Sequence, residues 1–357
     1  MEAGLSAAML EALAQVAPGR PLRAGVDRIL QASMGALIVV GDGPDVLAIC
    51  SGGFLLDAEF SPQRLSELAK MDGAIILAAD GSRIARANVH LVPNPDVPTS
   101  ETGTRHRTAE RVARSVDVPV ISVSEDMGVI AVYRHEQKHP LEAIPRLLNR
   151  ANQALQTLER YKSRLDAVSS GLTALEVEDL VTVRDVATVL QRAEMVRRIA
   201  EEIEGYIVEM GSDGRLIRLQ LEELMGGVED DRRLVIGDYF CGSSAWTLDD
   251  AIAHLGNLSY DELLDPNEVA ALLHLPTGAN ELDAHLQPRG YRLLGKVPRL
   301  PADVIDRLID RFGDLQKIMR ASVGDLNEVE GISGRRAQSV KEGLARLAET
   351  SILDRYS

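Results

Sequence analysis

The first 140 residues switch repeatedly between a helical and an extended hydrophobic period. Residues 5–16 carry apolar side chains on one helical face and stop at Pro18-Gly19, and residues 25–32 repeat the helical pattern. Short apolar runs follow. Residues 36–41 and 46–52 are parted by the turn-rich Asp42-Gly43-Pro44-Asp45 and read as a first hairpin. Ser61-Pro62 opens a helix through Lys70, because a proline in the first turn gives up an N–H that has no helical acceptor. Residues 73–80 and 83–92 flank Asp80-Gly81, a second hairpin signal. Residues 105–115 predict a helix, and residues 118–124 and 129–134 flank a third turn at 125–128. Six or more strands, three hairpins and several helices predict an α/β (α+β) domain over 1–140. Its sheet should be mixed, mainly antiparallel and flanked by helices.

From residue 141 the period becomes helical throughout. Leu141, Ile144, Leu148, Ala151, Leu155, Leu158 and Leu165 follow a 3,4 spacing that Lys162 interrupts. That suits either a helix packed inside a bundle or a dimeric coiled coil. Residues 174–178, 183–204 and 216–225 continue as helices. Residues 226–231 read as a glycine-then-acidic loop, and 258–275 as shorter helices. An all-α connector over 141–288 is expected.

Residues 289–357 read as helix, tight turn, helix. Ser322 and Asp325 match an S-x-x-D helix start, and Val329-Glu330-Gly331-Ile332-Ser333-Gly334 leads into a basic helix from Arg335-Arg336 to about residue 349. Two glycines three apart allow a sharp turn and a close approach to another surface, with Ile332 anchoring the turn. The free N–H groups of the turn and helix start can then hold a phosphate. This resembles the helix-hairpin-helix module of DNA repair and recombination proteins. An upstream partner at 294–301, before a helix at 302–312, departs from the pattern. Pro298 and Pro301 donate no N–H there, so it reads as a structural half. Glu330 works against phosphate.

The chain's 357 residues suit two or three domains, and 45% apolar with 26% charged residues is ordinary for a soluble globular protein. No apolar run approaches the about 20 residues that cross a bilayer. The acidic start lacks a signal-peptide pattern, and Cys50 and Cys241 form neither a disulfide framework nor a CxxC pair. A reduced, cytoplasmic protein without membrane contact is expected. A net charge of −15 argues against nucleic acid until it is divided. Residues 1–140 carry −4, 141–288 carry −14 and 289–357 carry +3. With only Tyr291, Phe312 and Tyr356 as aromatics in the tail, any nucleic-acid binding should be sequence-independent backbone contact and not base stacking.

There is no G-x-x-x-x-G-K-[ST] loop and no H-E-x-x-H; Ser51-Gly52-Gly53 is not a nucleophile elbow, and the seven histidines do not cluster at metal spacing. Two other segments stand out. Met71-Asp72-Gly73-Ala74 places a carboxylate at a strand entrance beside open backbone. In Glu101-Thr102-Gly103-Thr104-Arg105-His106-Arg107-Thr108-Ala109-Glu110, two arginines and a histidine sit at the positive end of a helix dipole. This suits a docked polyphosphate or, alternatively, solvated arginines on an exposed helix.

Together these segments resemble the DGA and RHR motifs of the diadenylate cyclases, which condense two ATP into cyclic di-AMP. The order of cyclase domain, helical connector and helix-hairpin-helix tail resembles the DNA-integrity-scanning branch of that family. The resemblance implies catalytic roles for Asp72, Arg105, His106 and Arg107. Asp72 would hold Mg²⁺ or Mn²⁺ and help deprotonate a ribose 3′-hydroxyl. Arg105 and Arg107 would stabilise phosphate charge, and His106 would hydrogen-bond phosphate or orient the metal. Thr104 and Thr108 would cradle phosphates, Gly73 would admit the nucleotide, Leu91 would pack on adenine and Ser124 would touch the nucleotide. It further implies an octamer with facing cyclase domains. Branched DNA such as Holliday junctions would be held by Gly331, Ile332, Ser333, Gly334, Arg335 and Arg336 and would regulate synthesis, with nucleoid association when DNA is bound. The other reading is a DNA-structure-binding protein whose nucleotide domain is inactive.

Overall fold

The computed structural model describes residues 5–356, except 126–127, 243–245 and 279. The third predicted turn, at 125–128, therefore lies partly outside the described residues. Packing divides the chain into two compact units: Met1–Ala154 with Glu202–Gln220, and Leu155–Glu201 with Leu221–Ser357. The division at 140 and 288 followed the local hydrophobic pattern; this one follows contact, and it shares the two long helices between units.

In the first unit, eight strands among the described residues form one sheet: β1 (Ala36–Val40), β2 (Cys50–Ser51), β3 (Phe54–Glu59), β4 (Ala74–Leu77), β5 (Arg83–Leu91), β6 (Val120–Ser124), β7 (Val129–Arg134) and β8 (Gln137–Pro140). Their order is β2-β5-β4-β1-β6-β7-β8, with β3 also paired to β5. Only β1 with β4 is parallel; every other pairing is antiparallel. The sheet is mixed and mainly antiparallel, as expected.

Five helices attend it: α1 (Ala7–Gln15), α2 (Pro21–Gln31), α3 (Pro44–Ala48), α4 (Pro62–Leu68) and α5 (Thr104–Ser115). Alternation along β1 explains the layering. Ile38 and Val40 join α1, α2 and α4 in one core, while Leu37 and Val39 join α5 in the other. A strand buried on both faces is apolar at every position, and β1 is.

The first predicted hairpin is not formed. β1 pairs with β4 and β6, and residues 44–48 are the helix α3. Pro44 and Asp45 sit in its first turn, where proline and an acidic residue favour helix. The strand β3 was not foreseen. Its exposed Phe54-Leu55-Leu56 run lacks alternation, and a register shift against β5 between Leu55 and Ala58 breaks the period.

The connector's long helices are α6 (Ile144–Glu178) and α7 (Val183–Met210). In α6 Leu147, not Leu148, is fully buried, with Ala151, Leu155, Leu158, Leu165 and Leu172 continuing the stripe. The expected loop at 226–231 shrinks to Gly226-Gly227. Gly227 is left-handed (φ 78°), and the helix Val228–Tyr239 follows with Glu229, Asp230 and Asp231 in its first turn, complementing its dipole.

In the second unit the helices Tyr291–Gly295, Ala302–Phe312, Leu315–Arg320, Val323–Asn327 and Gly334–Tyr356 share a core that includes Leu294, Leu308, Ile318, Leu326, Ile332 and Val340. No helix among the described residues is long and apolar enough to cross a membrane.

Candidate nucleotide site and tail hairpin

Strand register brings distant residues to one end of the sheet. Ala74 pairs with both Leu37 and Val89, and Ala36 pairs with Val123. The residues entering β1 and β4 therefore lie beside those leaving β5 and β6. That end gathers Gly35, Asp72-Gly73, Leu91 and Ser124. Arg105 joins them from α5. Its Nη1 lies 3.5 Å from the Val123 carbonyl, and a Cβ on Gly35 would stand 2.1 Å from that nitrogen. Gly35 is thus the floor on which the Arg105 guanidinium rests.

Asp72 is exposed. Gly73 has φ +104°, and a Cβ there would fall 2.9 Å from the Asn88 carbonyl carbon. The β4–β5 pairing demands glycine here whether or not a ligand approaches. Leu91 is 6% exposed and belongs to the core beneath α5, so the adenine contact expected of it would rest on a narrow strip. Ser124 is buried at the end of β6.

The N-terminus of α5 is open. Gly103 (φ 84°) is its N-cap with no side-chain cap, and the first turn holds no acidic residue. The first N–H groups consequently lack intrahelical acceptors at the positive end of the dipole. Thr104 and Arg107 are exposed, and Arg107 forms no ion pair among the described residues. The Thr108 hydroxyl donates to the Thr104 carbonyl (2.9 Å), which commits its hydrogen.

The loop before α5 is fastened to the helix at several points. Glu110 accepts from Ser100 N (3.0 Å) and Thr99 Oγ1 (2.5 Å) and pairs with Arg114 (2.9 Å). Burial pushes the Glu110 carboxyl up, but the Thr99 hydrogen bond and the Arg114 charge outweigh it and hold it below the usual range. Arg111 Nε donates to Val97 O (3.0 Å), and Arg114 Nη1 to Pro98 O (2.9 Å).

His106 Nδ1 lies 2.9 Å from the hydroxyl of Tyr133, a residue 1% exposed. Burial and the nearby Glu101 carboxylate push the Tyr133 phenol up from its ordinary value. Glu101 pairs with Lys138 (2.5 Å), whose ammonium sits 5.8 Å from the Tyr133 ring centre. Burial lowers the His106 pKa below its ordinary value; Glu101 opposes this, and Lys138 and Arg105 add to it. Sequence reasoning quoted Glu101 and Glu110 within the segment but gave them no role, and it missed Tyr133 and Lys138. A single aromatic after the aliphatic run Val129-Ile130-Ala131-Val132 was the one signal in the sequence for Tyr133.

Among the described residues no three His, Cys, Asp or Glu side chains cluster as a metal cage. A lone exposed carboxylate such as Asp72 nonetheless fits Mg²⁺ or Mn²⁺. Mg²⁺ commonly takes one or two carboxylates, its other ligands being water and substrate phosphates.

In the tail, Gly331 has φ +86°, and a Cβ there would stand 2.7 Å from Arg307 Nη1. Gly334 begins the last helix, and its Cβ would meet only Asn327 Oδ1 at 3.9 Å. Ile332 is buried, while Ser333 and Arg335 are exposed. Ala337 N donates to Ser333 O (2.9 Å), so the N–H groups of Ser333 to Arg336 precede the helical ladder. Arg336 differs from expectation: it is half-buried and donates to the Gly331 carbonyl (2.5 Å), bracing the turn. Arg307 Nη1 braces it from the other side through Glu330 O (2.8 Å). The upstream half packs Val297 against Gly343 of the last helix.

The family model described as DisA bacterial checkpoint controller nucleotide-binding matches residues 23–138, and the DisA linker region model matches 141–282. The DNA integrity scanning protein DisA of Frankia alni is 57% identical over 345 residues, covering 96% of each chain. That of Streptomyces coelicolor is 54% identical over 357 residues, covering 99% of this chain and 96% of its own. The chain belongs to the DNA integrity scanning (DisA) family.

DacA from Staphylococcus aureus, a solved structure, is 26% identical and overlaps 37% of this chain and 88% of its own with a TM-score of 0.30. Within the DisA family's two matched segments, the nucleotide-binding range holds every candidate residue from Asp72 to Ser124. The hairpin Gly331 to Arg336 lies beyond both ranges.

Proposed function

We propose that this protein condenses two ATP into cyclic di-AMP and two pyrophosphates, and that its tail hairpin contacts DNA backbones and regulates that synthesis. The observation that carries the reading is the meeting, at one end of the sheet, of Asp72 with the open, cationic N-terminus of α5. Membership of a family named for DNA integrity scanning, with a nucleotide-binding segment, supports it.

The product has twofold symmetry, and each ATP supplies one 3′-hydroxyl and one α-phosphate. A single site cannot close the ring, so two copies must face each other with their nucleotides antiparallel. Asp72 would hold Mg²⁺ or Mn²⁺, which supplies Lewis-acid screening of the phosphates and eases loss of the hydroxyl proton. Arg105, seated on Gly35, and Arg107, which has no ion pair among the described residues, stabilise the charge that develops as pyrophosphate departs. The first N–H groups of α5, beginning at Thr104, hold phosphate oxygens. An octamer places such sites in facing pairs and multiplies the tails.

The hairpin's N–H groups and Arg335 suit phosphates of branched DNA, such as a Holliday junction. A tail charge of +3 is modest, so affinity comes from several tails engaged together. Regulation requires DNA to favour one of two arrangements, and α6 and α7 are long helices shared by both units.

The test is incubation of the full chain with ATP and Mn²⁺, followed by mass analysis. Cyclic di-AMP forming without an added acceptor is the expected result, and it separates this reading from an inactive nucleotide domain and from transfer to another acceptor. Asp72→Asn should keep ATP binding and lose product; full activity in that variant would sink the role given to Asp72. Saturating branched DNA should lower synthesis, and an unchanged rate refutes the regulatory part.

A further inference from the structure

Two carboxylates flank the arginines of α5, and each has a cation of its own. Glu110 pairs with Arg114 one turn on (2.9 Å). Glu101 pairs with Lys138 of β8 (2.5 Å), a residue that strand register sets opposite Tyr133. The Lys138 ammonium, 5.8 Å from the Tyr133 ring centre, is within reach of a cation–π contact that steadies it. The Glu101 N–H donates to Thr99 Oγ1 (3.2 Å), so the backbone of the pair's acidic member is fixed as well. Arg105 and Arg107, by contrast, form no ion pair among the described residues.

Glu101 stands two residues before the N-cap Gly103 and four before Arg105. An unpaired carboxylate there would act against a ligand in two ways. It would take up the guanidinium of Arg105 or Arg107, and it would repel an anion from the first N–H groups of α5. Its side chain is only 14% exposed, so water and salt screen it poorly. Lys138 is 44% exposed, and a pair with so wet a partner adds little to stability. Its consequence is therefore the placement of charge. We propose that Lys138 is a positioning residue of the candidate site: it holds and neutralises Glu101, so that Arg105, Arg107 and the open start of α5 stay available to a triphosphate. The inference rests on the reading of that helix start as the ATP phosphate site, and not on the chemistry that follows binding.

The experiment is calorimetric titration of the full chain with 3′-deoxyadenosine triphosphate and Mg²⁺. This probe lacks the attacking hydroxyl, so it reports binding alone. Lys138→Met should weaken binding about tenfold at low salt, the scale of one charge at a partly buried helix end, and the gap should narrow at high salt. Glu101→Gln should bind as tightly as the parent or more tightly. The double variant should recover the parent's affinity, and Lys138→Arg should keep it. A pair that served structure alone would lose equally from either side and would not recover in the double variant. Unchanged affinity in Lys138→Met overturns the proposal, as does a double variant no better than Lys138→Met. A tenfold loss in Glu101→Gln overturns it even where Lys138→Met fails to fold. A parent chain that does not bind the triphosphate overturns it together with the phosphate reading. The expected pattern in a chain that makes no cyclic di-AMP from ATP supports the positioning role and rejects the cyclase reading.

Discussion

Among the described residues Arg292 is the largest fully buried side chain, and its removal gives a quantitative test of how the second unit is held together. Its guanidinium donates to both oxygens of Glu176 (2.7 to 3.1 Å), to Ser169 O and Oγ, and to Thr173 Oγ1 (2.6 Å). Glu176 is also 0% exposed and accepts a further bond from Tyr239 (2.8 Å). These bonds tie the last turns of α6 to the short helix Tyr291–Gly295. That helix is capped in turn by Asp238, which accepts from the N–H groups of Gly290, Tyr291 and Arg292 (2.6 to 2.8 Å). Arg292→Met would keep much of the volume but strand the Glu176 charge in a dry interior. Breaking a buried pair from one side costs about 3–5 kcal/mol. For a unit of about 180 residues, each kcal/mol moves Tm by roughly 2–4 °C, so Tm should fall by roughly 6–20 °C. Differential scanning calorimetry reads this directly. Arg292→Met with Glu176→Gln should recover a large part of the loss, because the stranded Glu176 charge is then removed as well. A fall below about 2 °C in the single variant, or a double variant as unstable as the single, would refute the account.

Gly35→Ala should drive the Arg105 guanidinium from its seat and cut cyclic di-AMP formation about a hundredfold at unchanged melting temperature; turnover near that of the parent would show that Arg105 need not rest there. The two hairpin glycines should separate. Gly331→Ala strains a left-handed residue and destabilises by about 1–3 kcal/mol. Gly334→Ala should leave stability intact yet weaken branched-DNA binding about tenfold in a gel-shift titration, since only a ligand would notice its Cβ. Burial pushes the Glu194 carboxyl up, but hydrogen bonds from Arg197 and Arg198 and the charges of Arg197 and Arg232 outweigh it and hold it below 4.5. A depressed carboxylate pKa adds stability above the unfolded value that disappears as pH falls through the folded one. Glu194→Gln should therefore cost much at pH 7, and the gap to the wild type should close below pH 4.5 in melting curves taken across pH.

Much of the architecture could be read from residue order, and the errors have common causes. The β4–β5 and β6–β7 hairpins were legible because each has a short turn signal between largely apolar runs. β1 was misread as half of a hairpin because its true partners, β4 and β6, are distant in sequence, and no local signal reports a nonlocal pairing. The DGA and RHR segments were legible as chemistry because a carboxylate beside glycine and cations at a helix start are both unusual. Their supports were not. Glu110 looks like any helical glutamate until Thr99 and Ser100 fold back onto it. Lys138 and Glu101 are 37 residues apart and meet only through the sheet. Arg336 could not be told from Arg335 by type, and only helix phase turns one outward and the other onto Gly331.

The fastening of residues 97–100 to α5 has a consequence for how a ligand arrives. Phosphate loops that are loose when empty lose conformational freedom on binding, at about 1–2 kcal/mol for each residue whose backbone becomes fixed. Here Glu110, Arg111 and Arg114 have already fixed that segment during folding. The helix start is thus presented ready-made, and little ordering entropy remains to be lost when the anion docks. The corollary concerns departure as much as arrival. With no segment here that must melt and refold, release of a bound anion should depend on ionic strength and facing charge, and only weakly on temperature.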